Sequence, residues 1–145
     1  MKKLLKKSNF ELKHINYVAV TITAELSDAF QTKREGILTI LDALETVFKK
    51  NKLAFISNQN KYINFKTAKS NFLSIAASNW VSTALFLGKY VPNCILIDAG
   101  STTIDIIPIF KSTPVPEGND DISRLINHEL IYTGGLRATI PSITH

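Results

Sequence analysis

Short apolar runs rich in β-branched residues alternate along this chain with a longer segment whose apolar residues recur at helical spacing. Residues 17–22 and 53–56 are such runs, and residues 33–50 between them carry apolar side chains three and four positions apart. A continuous apolar run of this length is typical of a buried strand, whereas a period of about 3.6 residues is typical of a helix with one buried face. The order predicts a β-α-β unit and the α/β fold class.

A second helix is predicted over residues 67–87. Its apolar face would carry Leu73, Ala77, Trp80, Ala84 and Leu87. Ser74, Ser78 and Ser82 recur every four positions, which predicts a polar row on another side of the same helix. We therefore expect Trp80 to lie in the core.

Residues 94–110 predict two strands joined by a tight turn. Residues 94–97 form an apolar run typical of a buried strand, and residues 102–110 are so rich in β-branched side chains that a helix is not expected. Pro108 favours an edge position for the second strand, because proline has no backbone N–H to donate to a neighbour.

The segment after this hairpin predicts a short helix that begins after a turn. Residues 117–121 form the turn, and the helix would run through Ile126. Asp121 and Arg124 are spaced so that they would pair across one helical turn.

The positive charge of the chain is concentrated at one end. The net charge is +5, but residues 1–13 contain five Lys and one Glu, which leaves only +1 for the rest. Nucleic-acid recognition needs a basic face spread across the fold, so we expect no nucleic-acid partner. The longest uncharged stretch contains too many Ser, Thr and Asn residues for a membrane span, so no membrane association is expected.

The chain has the size of one globular domain and shows no repeat, low-complexity tract or linker that would mark a boundary. Its single cysteine, Cys94, excludes an intrachain disulfide and lies in an apolar run, where a thiol packs as a small hydrophobe. A reducing, cytoplasmic setting is expected. The three histidines share no spacing that suits zinc.

Residues 98–105 combine the side chains that phosphate binding requires. They are Asp98, Gly100, Ser101, Thr102, Thr103 and Asp105. A glycine lets successive backbone N–H groups point at an anion, and hydroxyls donate to phosphate oxygens. Two carboxylates suit Mg²⁺, held through water, which would neutralise the phosphate. The alternative is a polar turn without chemistry, since these residue types are also common in turns.

Three further residues are weaker candidates. Arg137 follows a glycine-containing loop and either contacts a phosphate or remains solvated. Glu25 follows the first strand, where it is a candidate general base, although acidic residues before a helix also serve as caps. Asn79, expected in mid-helix, would reach either a ligand or a neighbouring backbone group.

The motif Asp-x-Gly-Ser-Thr-Thr-x-Asp resembles the second phosphate loop of the actin, sugar-kinase and heat-shock-chaperone ATPase superfamily. Over most of the chain, the sequence is similar to hydantoinase A/oxoprolinase-like archaeal proteins of tetrahydromethanopterin-linked one-carbon transfer, a group that includes methanofuran-biosynthesis synthases. The matching segments, in order, are residues 23–26, 28–30, 32–33, 35–36, 77–80, 98–109, 121, 124–125, 129–130, 132–134 and 136–137. The resemblance implies a partial actin/ribonuclease-H-like ATPase fold with a β-hairpin phosphate loop.

Members of this family are longer, two-lobed enzymes that begin with a further phosphate loop. The resemblance therefore implies that residues 1–145 are a single α/β domain or a fragment from the middle of such an enzyme. A fragment of this kind is expected to need the remaining segments for activity.

The resemblance also implies a reaction. Methanofuran-type synthases join an aminomethylfuran diphosphate to the phenol of a glutamylated tyramine and release diphosphate. Mg²⁺ on Asp98 and Asp105, with phosphate contacts from the loop and Arg137, would stabilise the departing diphosphate. Two alternatives stay open: an ATP-dependent, or other nucleotide-dependent, hydrolase of a cyclic amide, and a non-catalytic remnant or interaction module. In the second alternative, apolar surface that the family's other segments cover would be exposed or buried in a homo-oligomer.

Overall fold

The computed structural model describes residues 12–23 and 29–132, which form two small β-sheets and the helices packed on them. The strands are β1 (Val18–Val20), β2 (Leu53–Ile56), β3 (Tyr62–Asn64), β4 (Cys94–Ala99), β5 (Ile104–Phe110), β6 (Thr113–Pro114) and β7 (Leu130–Ile131). The helices are α1 (Lys33–Glu45), α2 (Phe65–Ser70), α3 (Asn79–Gly88) and α4 (Asp121–Ile126). The predicted mixed α/β class is confirmed.

The first sheet contains the predicted β-α-β unit. Strand β1 pairs with β2 in parallel, and β3 then returns antiparallel to β2. Helix α1 joins β1 to β2 and begins after Thr32, whose side chain accepts a hydrogen bond from the Glu35 N–H. Its residues Ile37 and Leu41 are fully buried in one cluster with Phe55 of β2. The burial of this apolar face explains why the periodic segment forms a helix here.

Helix α1 ends at Glu45, five residues before the predicted end. The next two residues, Thr46 and Val47, are β-branched, which lowers helix propensity. The Thr46 hydroxyl also donates to the Ala43 carbonyl 2.7 Å away, an alternative to continuing the helix.

The single helix predicted over residues 67–87 is wrong. Helix α2 ends at Ser70, a 3-10 turn covers Phe72–Ile75, and α3 begins only at Asn79. Between them Ala77 has a positive φ of 48°, a left-handed conformation that interrupts a right-handed helix.

The faces assigned to that helix are also reversed at its centre. Leu73 is exposed, whereas Ser74 and Ser78 are buried. The Ser78 hydroxyl lies within hydrogen-bonding distance of the carbonyls of Ile56 and Ile75, at 3.1 and 3.0 Å. A serine can therefore be buried here because its polar atom has partners on two neighbouring elements.

The second sheet is built around the predicted hairpin. Strands β4 and β5 are antiparallel over their whole length. Strands β6 and β7 both pair with β5 on the side away from β4, β7 at Ile104 and Asp105, and β6 at Ile109 and Phe110. Strand β5 is therefore central.

The predicted edge position of Pro108 is wrong for that reason. Pro108 lies between the β5 residues that pair with β7 and those that pair with β6. Its carbonyl accepts from the Val115 N–H at 2.8 Å. A carbonyl and an N–H of one residue point to the same side of an antiparallel strand, so the N–H that Pro108 lacks would have faced Val115, just beyond the end of β6.

Strand β4 is not the buried strand that its apolar run predicts. Ile95 and Ile97 are 67% and 64% exposed on the outer face of the sheet. Cys94 and Leu96, on the inner face, are partly buried against the second core, which bears out the expectation that Cys94 packs as a small hydrophobe. The inner face is covered by α3, through Trp80, Val81 and Ala84.

The short helix predicted after residue 121 is confirmed as α4. Asp120 is its N-cap, and its side chain and that of Ser123 form a reciprocal capping box with the backbone. Among the helices of the described residues, none is long and apolar enough to cross a bilayer.

Candidate functional site

A four-residue loop, residues 100–103, closes the β4–β5 hairpin after the last strand pair, Ala99 and Ile104. The Gly100 N–H donates to the Thr103 carbonyl at 2.8 Å, so this N–H is engaged within the hairpin. Gly100 does not have a positive φ. Instead, a Cβ at this position would lie 3.2 Å from the Thr103 oxygen, so the glycine is favoured by close approach.

The two predicted carboxylates lie opposite each other at the open end of the hairpin. Asp98 and Asp105 are direct cross-strand partners. By alternation along the strands they share the inner face with Leu96 and Ile107, one step beyond the core. Asp98 is exposed and Asp105 is half-buried. The hairpin thus places both acids within reach of one ligand.

The loop hydroxyls border these carboxylates. The Thr103 hydroxyl makes a long contact of 3.5 Å with Asp105 Oδ2, and Thr103 and Thr102 are half-buried. Ser101 is exposed at the tip. These groups supply oxygen donors and acceptors at the position that the sequence predicts for a phosphate.

Arg124 is the partner of Asp105, and its predicted pairing with Asp121 is wrong. Arg124 Nη1 lies 2.8 Å from Asp105 Oδ1, while Asp121 pairs with Lys33 at 2.9 Å. Helix α4 turns Asp121 toward α1 and Arg124 toward the hairpin, so tertiary packing overrides the spacing along the helix. The Arg124 side chain is only 2% exposed.

Other contacts fix the Arg124 guanidinium in its buried position. Nη2 donates to the Glu129 carbonyl at 3.0 Å, and Cζ lies 4.4 Å from the centre of the Trp80 ring. This cation–π geometry joins α4 to α3. The guanidinium therefore contacts the hairpin, α3 and residue 129, which directly precedes β7.

The segment around Arg124 is held by a second buried charge. The Glu129 carboxylate accepts from the N–H groups of Glu117 and Gly118, at 2.7 and 2.9 Å. A Cβ at Gly118 would lie 2.5 Å from the backbone nitrogen of Arg124 and 2.6 Å from Arg124 Cγ. Gly118 is therefore required by the close approach of the loop to Arg124.

The remaining candidates lie farther from the hairpin or outside the described residues. Asn79 is the first residue of α3, not a mid-helix residue, and is half-buried. Within the described part of the chain it has no hydrogen bond to the hairpin, although its neighbour Trp80 contacts Arg124. Glu25 and Arg137 lie outside the described residues.

The donor set of the hairpin fits magnesium better than a softer metal. Two carboxylates and three hydroxyls are all hard oxygen donors, and Mg²⁺ commonly uses one or two carboxylates together with water and substrate phosphates. Across residues 12–23 and 29–132, no three His, Cys, Asp or Glu side chains are grouped so that they would hold a metal alone. A magnesium ion here would therefore depend on the phosphate ligand.

A polar cavity of about 410 Å³ lies elsewhere, between the 3-10 turn and the start of α4. Its lining includes Lys33, Asn58, Asn71, Ser74 and Asp121. None of the residues predicted for phosphate or metal binding lines it. The cavity has acids of its own, Asp120 and Asp121, but is separate from the predicted phosphate loop.

Arg124 is the residue of this site that sequence reasoning missed. Its spacing from Asp121 indicated a local pair, and Asp105 lies 19 positions away in the sequence. No local pattern marks a partner at that separation. The family resemblance includes residues 124–125, but only the packing of α4 on the hairpin identifies Asp105 as the partner of Arg124.

Comparison with known proteins places most of the chain in a described family. The profile of the Hydantoinase/oxoprolinase family matches residues 16–143. A (4-{4-[2-(gamma-L-glutamylamino)ethyl]phenoxymethyl}furan-2-yl)methanamine synthase of Methanocaldococcus jannaschii is 42% identical over 128 residues, which are 88% of this chain and 38% of that protein. A protein of the same name from Methanococcus vannielii is 45% identical over 53 residues, 37% of this chain and 23% of that protein. The chain thus spans less than half the length of either relative.

Proposed function

Because the chain belongs to the Hydantoinase/oxoprolinase family, we propose that it forms part of an enzyme of methanofuran biosynthesis that releases diphosphate. The two relatives are named as furanylmethanamine synthases, and one matches 88% of this chain. The substrate class would be a small-molecule diphosphate. The chain would contribute one α/β segment, with a partial actin-like fold, to a larger two-lobed enzyme.

The observation that carries this proposal is the opposition of Asp98 and Asp105 at the end of a hairpin closed by a hydroxyl-rich loop. Two acids beside three hydroxyls match the needs of a metal-bound phosphate group. Arg124 offsets the charge of Asp105, whereas Asp98 has no ion pair within the described residues, so a polar turn alone does not account for Asp98.

The residues of the hairpin would divide the binding of the leaving group. Mg²⁺ bound at the acids would neutralise charge that develops on the departing diphosphate. The hydroxyls of Ser101, Thr102 and Thr103 would donate to its oxygens, and Gly100 would keep the loop tight enough for them to converge. Arg137 would add a second cationic contact to the same group.

The acceptor substrate would be handled by residues away from the hairpin. Glu25 follows β1 along the chain and would act as general base on the phenol, while Asn79 would contact the substrate through its amide. A phenol must lose its proton to become a good nucleophile, so a base is needed on this side of the reaction.

An ATP-dependent hydrolase of a cyclic amide is the second candidate, because the family description names hydantoinase and oxoprolinase. Product analysis separates the two. Release of diphosphate from an aminomethylfuran diphosphate without ATP supports the synthase, and release of inorganic phosphate from ATP supports the hydrolase. If neither product forms with the complete enzyme, the interaction-module alternative gains support.

The direct test of the hairpin is a calorimetric titration of inorganic diphosphate with and without Mg²⁺. The Asp98→Asn variant should lose the magnesium-dependent part of the affinity while it keeps the wild-type melting temperature, because Asp98 is exposed. Asp42→Asn is the matched control, since Asp42 is also exposed but lies on α1. Equal affinity of wild type and Asp98→Asn would contradict the proposal.

A further inference from the structure

We propose that Arg124 is a positioning residue of the hairpin, and that it divides the roles of the two acids. In this arrangement Asp105 is a fixed, neutralised partner of Arg124, and Asp98 alone meets the metal. The inference rests on the proposed binding of magnesium and diphosphate at this hairpin. It changes the expectation that both acids hold the ion equally.

The first step is the commitment of Asp105. Its Oδ1 atom accepts a hydrogen bond from Arg124 Nη1 at 2.8 Å. The Arg124 side chain is 2% exposed and the Asp105 side chain is 13% exposed. Hydrogen bonds between ionised groups are strong, and little water reaches this one to compete with it. A magnesium ion at Oδ1 would be repelled by the adjacent guanidinium, so Oδ1 is a poor metal ligand.

The second step is the freedom of Asp98. Asp98 is exposed on the same face of the hairpin and has no ion pair within the described residues. Its oxygens therefore remain available to a cation that arrives from solvent. The pairing of the two strands thus presents one free and one occupied carboxylate.

The third step is the net charge that a diphosphate meets. Two free acids side by side would carry a charge of about −2 and would repel an anionic ligand. The buried guanidinium cancels one of these charges. Arg124 therefore favours the combined binding of metal and diphosphate over the binding of the metal alone.

The fourth step is the rigidity of the guanidinium. It donates to Asp105 and to the Glu129 carbonyl at once and lies over the Trp80 ring, so it cannot turn away without losing all three contacts. A planar fork supports this double donation, whereas a lysine ammonium acts as a point charge. Arg124→Lys should keep the charge and lose part of the geometry.

The test compares single variants in two titrations, one of Mg²⁺ alone and one of inorganic diphosphate in the presence of Mg²⁺. Asp98→Asn should weaken both by about tenfold or more, as expected for the loss of a unit charge next to the ion. Asp105→Asn should weaken Mg²⁺ affinity clearly less than Asp98→Asn does, because it removes a charge but no metal ligand, and the amide oxygen still accepts from Arg124. Equal losses in the two variants would overturn the division of roles.

Arg124→Met gives a result that mere structural damage would not produce. Removal of the guanidinium frees Asp105, so Mg²⁺ alone should bind more tightly while diphosphate with Mg²⁺ binds about tenfold more weakly. The diphosphate affinity of Arg124→Lys, measured in the presence of Mg²⁺, should lie between that of Arg124→Met and that of the wild type. A parallel loss of both affinities in well-folded Arg124→Lys would contradict the proposal.

Asp121→Asn is the matched control for stability. It breaks another ion pair of α4, the one with Lys33 at 2.9 Å, and leaves Arg124 and both hairpin acids in place. Both affinities should stay within about twofold of wild type. If Arg124→Met does not fold, the contrast between Asp98→Asn and Asp105→Asn decides the question.

A wild-type chain that binds no diphosphate would refute the proposed function itself, whereas binding with equal effects at both acids refutes only the role of Arg124.

Discussion

Two ion pairs of the same length lie in very different surroundings in this molecule. Lys69 and Asp42, between α2 and α1, are 2.8 Å apart and 46% and 61% exposed, whereas Arg124 and Asp105 are also 2.8 Å apart but 2% and 13% exposed. The hydrogen bond that Lys69 donates to Asp42 raises the pKa of Lys69, yet solvent screens this pair. Burial, not distance, decides how much each pair matters to the fold.

The two sheets differ in the same way. The buried residues around β2 and α1 are apolar apart from serines such as Ser57 and Ser74, and no charged side chain is buried there among the described residues. The second sheet instead includes the buried charges Arg124 and Glu129 near its inner face and leaves Ile95 and Ile97 exposed on its outer face. Charged groups are expensive to bury, so their concentration beside the hairpin is consistent with a functional demand there.

The largest expected effect is the loss of the buried pair. Arg124→Met should lower the free energy of unfolding by about 3–5 kcal/mol, because it leaves the Asp105 carboxylate without its cation. Lys69→Met, the same change in the exposed pair, should leave the free energy of unfolding close to the wild-type value, because solvent screens that pair. Urea unfolding of both variants at pH 7 measures the difference, and equal costs would show that burial does not separate the two pairs.

The next effect tests how tightly the hairpin side is packed. Gly118→Ala should cost about 1–3 kcal/mol, because the new methyl group would meet the Arg124 backbone 2.5 Å away. Gly100→Ala is the control, since its methyl group would come only within 3.2 Å of the Thr103 oxygen. The melting temperature of Gly118→Ala should be clearly lower than that of Gly100→Ala. The reverse order would mean that the hairpin loop is the tighter of the two.

The smallest effect concerns the cap of α4. Asp120→Ala should cost about 1 kcal/mol at pH 7, because the carboxylate no longer accepts from the Ser123 N–H. That hydrogen bond lowers the pKa of Asp120, so its stabilising contribution is present above the ordinary carboxyl pKa and is lost as the pH falls through the lowered value. Asp120→Asn keeps an acceptor, so it should retain most of the cap and lose this pH dependence. Unfolding curves from pH 7 to about pH 3 compare the variants.

Much of the architecture around the site could be predicted from local patterns. The hairpin, the β-α-β unit and the short helix capped by Asp120 all follow from residues a few positions apart. The break at Ala77 could not, because the serine row matches a helix and only burial of Ser78 against the Ile56 carbonyl decides otherwise. The exposure of Ile95 and Ile97 could not be predicted either, because an apolar run does not show which face of a strand is covered.

The sequence by itself determined that Asp98 and Asp105 would flank a tight, hydroxyl-rich turn, because hairpin pairing is fixed by the turn and the strands on either side of it. Only the tertiary structure decided that the two acids are unequal. Arg124 meets Asp105 because α4 packs against the hairpin and Trp80 supports the guanidinium from α3. Such a contact depends on the packing of elements distant in sequence, and no spacing within one helix or strand encodes it.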